Sequence, residues 1–227
     1  MHILELWRYP VKSMAGEPLQ EADLREDGIL GDRLVHVRGP NQRVVTSRNR
    51  PLLLGHKAVL GPAGEALVDG LPWDTPEVQA LVEAAAGAGA RLHRNDDGRG
   101  RRFDVLPLLV ATDGAVAALG EDRRRLRPNI LLGGVAGLAE RGWEGKWLRA
   151  GEAVIGMVNL RERCVMTTFD PDTLAQDVGV LQRIRSRFGG TMALDSLIVR
   201  PGRLRVGDPV QVIDPPEGGW QTPPGGP

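Results

Sequence analysis

The sequence predicts an α+β protein, in which a β-rich, barrel-like N-terminal domain packs on a second domain of mixed strands and helices. Three observations predict this class. Short strand-like segments fill residues 1–74, helical periodicity begins at Thr75, and strands and helices then follow each other without a regular βαβ rhythm.

The composition is that of an ordinary globular protein, with 41% hydrophobic and 26% charged residues. Its 29 Lys and Arg residues balance 29 Asp and Glu residues, so the chain lacks the positive surplus of a dedicated nucleic-acid-binding protein. No segment resembles a signal peptide or the roughly 20 apolar residues of a membrane span. The single cysteine excludes an internal disulfide and any multi-cysteine metal site. The cytoplasm is therefore the expected compartment.

The first domain is predicted to comprise residues 1–74. Its strand-like segments alternate apolar and polar residues and end at Gly, Pro or Asn turn signals. Many short strands at this spacing are typical of a barrel or a curled sheet. The predicted strands are residues 2–9, 19–24, 34–38, 43–46 and 57–60.

The second domain is predicted to comprise residues 75–213, and the Pro/Gly-rich residues 214–227 are predicted to be disordered. Its first helix begins with Thr75 as N-cap and Pro76 at the first helical position, and ends near Gly87.

Two further helices and several strands are predicted in the second domain. One helix begins at Thr112, and the other spans residues 170–187 with Asp170 as its N-cap. The strand-like segments are residues 129–132, 153–158, 192–199 and 209–213.

Cys164 is a candidate metal ligand. A thiolate is a soft, strongly donating ligand, and the neighbouring Arg161 and Arg163 favour the thiolate over the thiol. If the segment is a strand, however, both arginine side chains point away from the face of Cys164. A lone cysteine is also commonly a small buried apolar residue, and the residues alone leave both interpretations open.

Two loops of the first domain combine cations with hydrogen-bond donors. Lys12 and Ser13 follow the first strand and could hold a phosphate or a carbonyl group, although such pairs are also common on surfaces. Arg33 ends a glycine-bounded loop, where it offers a bidentate fork to an anion or forms a surface ion pair with Asp32. Arg48 follows two hydroxyl residues in a similar pattern.

The second domain contains three more candidates. Pro128 is expected to push Arg127 into extended backbone, and Asn129 offers donor and acceptor groups that suit the edge of a heterocycle. The plainer interpretation is a helix with a cationic last turn. The helix beginning at Thr112 exposes free N–H groups that bind an anion, unless Asp113 satisfies them internally.

Taken in order, these segments resemble MOSC-domain proteins with an N-terminal MOSC β-barrel domain, a group that includes the mitochondrial amidoxime-reducing component and its bacterial counterparts. The resemblance covers residues 1–213 and implies a MOSC-type β-barrel domain with flanking helices in the second half. The motifs are Tyr-Pro-Val-Lys-Ser, Gly-Asp-Arg, Thr-Ser-Arg, Arg-Pro-Asn-Ile, Trp143 with Trp147, Arg-Cys-Val-Met-Thr-Thr-Phe-Asp-Pro, and Val-Gly-Asp-Pro-Val.

The resemblance implies a molybdenum cofactor (Mo-molybdopterin) and an oxidoreductase that reduces N-oxygenated, chiefly N-hydroxylated, compounds. It implies that Cys164 is the molybdenum ligand and the catalytic residue. The residues implied to hold the pterin and its phosphate are Lys12, Ser13, Arg33, Arg48, Thr112, Arg127 and Asn129.

The chain departs from the family pattern in its cysteines. Several relatives carry another cysteine shortly before the ligand, and bacterial relatives often append a ferredoxin-like domain with four cysteines, whereas this sequence has one. The resemblance therefore implies a separate electron donor, either a ferredoxin-like protein or a cytochrome or flavin reductase. Two alternatives remain open, namely sulfur transfer through a Cys164 persulfide and a non-enzymatic carrier of the cofactor.

Overall fold

The structure, a computed structural model, describes residues 1–95 and 102–217. Within these ranges the chain forms many short strands and three α-helices, so the predicted α+β class is confirmed. The helices are α1 (Pro76–Ala86), α2 (Asp113–Leu119) and α3 (Val178–Phe188). The strands are β1 (His2–Arg8), β2 (Glu17–Leu19), β3 (Glu21–Arg25), β4 (Gly28–Ile29), β5 (Val35–Arg38), β6 (Val44–Val45), β7 (Ala58–Leu60), β8 (Ala66–Val68), β9 (Leu71–Pro72), β10 (Arg91–Arg94), β11 (Leu108–Thr112), β12 (Ile130–Gly133), β13 (Trp147–Ala150), β14 (Ala153–Glu162), β15 (Thr191–Arg200), β16 (Gly202–Arg205) and β17 (Val210–Ile213).

The largest sheet has the strand order β17-β13-β14-β15-β11-β12-β1-β2. Its pairs are antiparallel except β11 with β12. The start of β1 returns to β17, because the Ile3 N–H donates to the Asp208 carbonyl at 2.9 Å and the Val210 N–H donates to the Met1 carbonyl at 3.1 Å. The sheet thus closes on itself around a core that includes Leu6, and closure removes its exposed edges.

A second apolar core lies under the N-terminal loops and helix α1. It collects Val11 and Met14, which follow β1, together with Val37 of β5 and Val78 and Val82 of α1. Two smaller sheets, β10-β5-β6 and β7-β8-β9, surround it. Because β1 belongs to the large sheet and the residues after it belong to this core, the end of β1 lies where the two cores meet.

Each strand predicted from periodicity overlaps an observed strand, and the first two predicted helices form. Thr75 and Thr112 are the N-caps of α1 and α2, with side chains that accept N–H bonds from Val78 and Ala115. Seven observed strands were not predicted, namely β4, β8, β9, β10, β13, β16 and the longest of them, β11. All five of its residues are buried, so the alternation that marks a half-exposed strand is missing.

The third helix begins later than predicted. Asp170 does not cap it, because the Asp170 carboxylate accepts the backbone N–H bonds of Asp172 and Thr173 and closes a local turn. Leu174 then takes a positive φ of 59°, which a right-handed helix excludes. The helix begins after Asp177, whose side chain accepts the N–H of Gly179.

The domain limits at residues 74 and 213 remain a prediction. Helix α1 shares its core with residues before position 75, and β1 shares a sheet with strands of the second half. Of the predicted disordered tail, residues 218–227 lie outside the described ranges. Among the described helices, none is long and apolar enough to cross a membrane.

Helix α2 packs against a glycine-rich loop through a close backbone approach. A Cβ at Gly114 would lie 2.3 Å from the Val135 carbonyl oxygen and 2.4 Å from that of Gly137. The same loop donates N–H bonds to the Asp113 carboxylate from Gly134 at 2.7 Å and from Val135 at 3.0 Å. This loop therefore fixes the start of α2.

We predict that Gly114→Ala lowers the free energy of unfolding by roughly 1–3 kcal/mol, because both obstructing atoms belong to backbone that must shift. Gly142→Ala is the matched control, since a Cβ there meets nothing within 4 Å, and it should change the free energy by less than about 0.5 kcal/mol. Urea unfolding measures both variants. Equal stability of the two would contradict the close-packing account.

Candidate functional site

A cleft opens where the end of β1, the turn before β5 and the segments before β12 and after β14 meet. It encloses about 790 Å³ of space that is open to solvent. Seven of the eight residues proposed from the sequence line it, although they come from distant segments. They are Lys12, Ser13, Arg33, Arg48, Arg127, Asn129 and Cys164.

Thr112 is the exception. Its hydroxyl is buried, donates to a Glu140 carboxylate oxygen at 3.2 Å and accepts the Ala115 N–H at 3.1 Å. The Asp113 carboxylate accepts the N–H of Gly114 in the helix and those of Gly134 and Val135 in the adjacent loop. The helix start is thus satisfied internally, and Thr112 is not among the residues that line the cleft.

Three of the cleft residues have left-handed backbone. The φ angles are 73° for Ser13, 49° for Arg33 and 55° for Arg127, values that residues other than glycine, Asn and Asp seldom adopt. Such strain often concentrates at functional sites. The expectation that Arg127 is extended was wrong, since Pro128 keeps it out of the right-handed helix but its N–H still bonds the Arg124 carbonyl at 3.1 Å.

The buried Tyr9 ring positions two arginines of the cleft. The guanidinium carbon of Arg127 lies 4.4 Å from the ring centroid and that of Arg33 lies 5.0 Å from it. The Tyr9 hydroxyl donates to the Pro128 carbonyl at 3.1 Å. Burial raises the pKa of Tyr9 to about 12, although Arg127 and Arg33 act to lower it. Tyr9 is therefore neutral and serves as a stacking surface, a role that sequence reasoning missed.

Arg33 is held on its other side by polar groups. Asp32 is fully buried, pairs with the Arg33 guanidinium and accepts the Tyr9 N–H at 2.7 Å, so the pair is not the surface ion pair considered above. The Asn129 side-chain oxygen lies 3.4 Å from Arg33 Nη1 and accepts the Leu109 N–H at 3.2 Å. Asn129 thus ties Arg33 to the large sheet.

Cys164 follows β14 and begins a short 3₁₀ turn, Val165–Thr168. Its carbonyl accepts the Thr167 hydroxyl at 2.9 Å, and its side chain is partly exposed. Arg48 lines the same cleft as Cys164. Because Cys164 lies past the end of the strand, the strand argument that Arg161 and Arg163 point away from it does not apply, and all three residues line the cleft.

The cleft is strongly cationic. Seven cationic side chains and two carboxylates line it, which favours an anionic ligand. Desolvation lowers the pKa of Arg127 and of Arg163 to about 10 each. Both still carry their charge at neutral pH. Arg163 donates from Nη2 to the Leu126 carbonyl at 2.8 Å, but its buried Nε has no hydrogen-bond partner among the described residues.

Asp104 is a cleft residue that the sequence did not reveal. Its carboxylate pairs with Lys12 Nζ at 2.8 Å and with Arg48 Nη2 at 2.6 Å. Burial would raise the pKa of Asp104, but Lys12 and Arg48 outweigh that effect and hold the pKa below its usual value. Asp104 is thus an anion at neutral pH that already forms ion pairs with two of the cations. One acidic residue after an arginine run gave no sequence signal for this contact.

Two domain families match the chain. Residues 1–93 match the MOSC N-terminal beta barrel domain, and residues 113–211 match the MOSC domain. The chain is 26% identical to human mitochondrial amidoxime-reducing component 1 over 93% of its own length and 82% of that protein's. It is also 26% identical to human mitochondrial amidoxime reducing component 2, over 92% and 82% of the two lengths. The YUAD protein from Bacillus subtilis has a TM-score of 0.47 at 13% identity, over 93% of this chain and 94% of that one.

We predict that Asp104→Asn tightens the binding of inorganic phosphate roughly fivefold at low ionic strength, because it frees Lys12 and Arg48 from a competing anion. Isothermal titration calorimetry gives the affinity. The matched control is Asp214→Asn, which removes an exposed carboxylate paired with Lys146 at 2.7 Å and should leave the affinity unchanged. Weaker phosphate binding in Asp104→Asn would show that Asp104 organises the cations instead.

Proposed function

Since this chain is a MOSC-domain protein with an N-terminal MOSC β-barrel domain, we propose that it binds the molybdenum cofactor in the cationic cleft and reduces N-hydroxylated compounds. The observation that carries the proposal is the convergence of seven cationic side chains on the one cysteine of the chain. The names of the human relatives support the substrate class, since both are amidoxime-reducing components.

The residues of the cleft fit this cofactor. A pterin phosphate needs cationic and hydrogen-bonding groups, which Lys12, Arg33 and Arg127 supply from three separate segments. Molybdenum in a high oxidation state needs a strongly donating soft ligand, which the Cys164 thiolate supplies. The unpartnered Nε of Arg163 is a further donor for an acceptor within the cleft.

When bound, the cofactor supplies the two-electron chemistry that protein side chains lack. The chain contributes binding and orientation. Lys12, Arg33, Arg127 and Asn129 would fix the pterin end, and Cys164 would hold the metal end. Arg48 lines the cleft together with Cys164 and adds a further cation to it. Each turnover consumes two electrons and two protons and releases water from the N–OH group.

The electrons come from a separate protein under this proposal. The single cysteine leaves the chain unable to hold an iron–sulfur cluster by itself. The donor is either ferredoxin-like or a cytochrome or flavin reductase, and the compartment is the cytoplasm.

The contribution of the cations is tested by charge removal. We predict that Lys12→Gln and Arg127→Gln each lower cofactor retention roughly tenfold to a hundredfold, because a charge-assisted hydrogen bond contributes about 1.5–3 kcal/mol. Pterin fluorescence after release from purified protein gives the retained fraction. Lys146→Gln, which removes a surface cation paired with Asp214, is the matched control. Equal cofactor retention in the wild-type protein and all three variants would refute the cleft as the binding site.

The role of Cys164 is tested by its removal. We predict that Cys164→Ala abolishes reduction of benzamidoxime with an artificial reductant, while pterin retention and melting temperature change little. The cations hold the pterin, whereas the thiolate sets the electron density of the metal. Val165→Ala is the matched control, a truncation of the next residue, which does not line the cleft. A modest loss of stability with full activity would identify Cys164 as a packing residue.

The wild-type protein in the same experiment separates the alternatives. It should be produced in a host that synthesises the cofactor, and its molybdenum and pterin contents should be measured. Molybdenum with benzamidoxime turnover supports the oxidoreductase. Molybdenum without turnover favours a cofactor carrier, and a persulfide on Cys164 without molybdenum favours sulfur transfer.

A further inference from the structure

A second cavity lies beside the cleft that contains Cys164. It encloses about 1040 Å³ of space open to solvent, and its residues have no role in the proposed function so far, apart from Arg127. The two cavities share Arg125, Arg127 and Met166. Because Met166 lies in the 3₁₀ turn that Cys164 begins, a ligand in the second cavity lies next to the proposed metal position.

Aromatic side chains form much of the wall of the second cavity. Trp7 and Tyr9 lie with ring centroids 6.4 Å apart and planes at 21°, and Phe169 also lines the space. Gly16 packs closely against the Tyr9 ring, since a Cβ there would lie 2.5 Å from a ring carbon and 2.3 Å from the Arg8 carbonyl oxygen. Aromatic walls of this kind favour a flat ring as ligand.

The charges around the cavity are mainly positive. Lys57, Arg124, Arg125 and Arg127 line it. Among the described residues that line it, Asp172 is the one carboxylate, and both of its oxygens accept bonds of 2.7 Å from Arg124. Asp172 is thus paired, and so are two of the cations, since Arg124 contacts Asp122 and Asp172 and Arg125 contacts Glu121 and Asp170. Lys57 and Arg127 have no carboxylate partner among the described residues, so these two cations would repel a cationic ligand but not a neutral one.

We propose that the second cavity binds the aromatic part of a neutral N-hydroxylated substrate and disfavours the cationic product. This inference rests on the proposed function. For an amidoxime, two electrons from the donor protein and two protons break the N–O bond, water leaves, and an amidine remains. The N-hydroxyl group makes the amidoxime a weak base, whereas the amidine takes up a further proton and becomes a cation at neutral pH. The reaction therefore turns a neutral ligand into one that Lys57 and Arg127 repel.

The inference is tested by titrating the full chain without an electron donor at pH 7, so that binding is measured without turnover. The ligands are benzamidoxime, acetamidoxime and benzamidine, which is protonated at this pH. Benzamidoxime should bind at least about tenfold more tightly than benzamidine. It should also bind more tightly than acetamidoxime, which has no ring.

Two pairs of variants locate the contacts. Trp7→Leu should weaken the binding of benzamidoxime roughly fivefold to tenfold and leave the affinity for acetamidoxime unchanged. The control Trp73→Leu should change the affinity for neither ligand, since Trp73 lines neither cavity. Lys57→Gln should tighten the binding of benzamidine about threefold. The control Lys146→Gln, at a surface lysine paired with Asp214, should not.

Equal affinity of the wild-type chain for benzamidoxime and benzamidine would overturn the inference, as would benzamidoxime affinity that Trp7→Leu leaves unchanged. Loss of turnover with the predicted binding pattern intact would support the ligand preference and overturn the proposed reaction. Turnover with unchanged binding in every variant would support the reaction and overturn the cavity assignment.

Discussion

The contact between the buried Tyr9 ring and two guanidinium groups is the interaction on which the cleft depends. Arg33 and Arg127 come from loops separated by nearly a hundred residues, and like charges at short range repel. The ring attracts both, at 5.0 Å and 4.4 Å from its centroid, through the negative faces of its π-system. Its hydroxyl bond to Pro128 and its N–H bond to Asp32 fix the loops that carry the two arginines. Asp32 and Asn129 also hold Arg33, and the Met14 carbonyl also holds Arg127, but the Tyr9 ring contacts both guanidinium groups.

Holding several cations together in partly buried positions has an energetic cost, and the cleft shows it. Desolvation lowers the pKa values of Arg127 and Arg163 to about 10, and Ser13, Arg33 and Arg127 have strained backbone. Carbonyl groups, Asp32 and Asp104 offset part of the repulsion. An anionic ligand would offset more of it. A site that is stabilised by its ligand in this way is preorganised for an anion, because its donors are already aimed into the cleft.

The sequence predicted much of the fold and most of the membership of the cleft, but not its internal organisation. Periodicity located the strands that alternate, and the caps at Thr75 and Thr112 located two helices. Strand β11 is fully buried and was missed, although the fully buried β5 and β12 were found next to clearer turn signals. Asp170 was misjudged as a helix cap since a local turn uses the same Asp-Pro signal. The resemblance to a known family brought Lys12, Arg33 and Cys164 together. Tyr9 as a stacking surface and Asp104 as an internal anion depend on tertiary contacts between distant segments, for which a single sequence carries no local pattern.

The position of Cys164 relative to the two cavities links binding to turnover. The cysteine lies just past β14, where the rigid sheet ends and a 3₁₀ turn begins, so the sheet fixes the start of the segment while the turn carries Met166 toward the second cavity. Arg125 and Arg127 line both spaces. Arg125 is paired with Glu121 and Asp170, so Arg127 is the shared cation that would attract an anionic cofactor on one side and repel a cationic ligand on the other. Under the proposed function, the charge change in the second cavity would result from the reaction in the first, so Arg127 would both hold the cofactor and disfavour the cationic product.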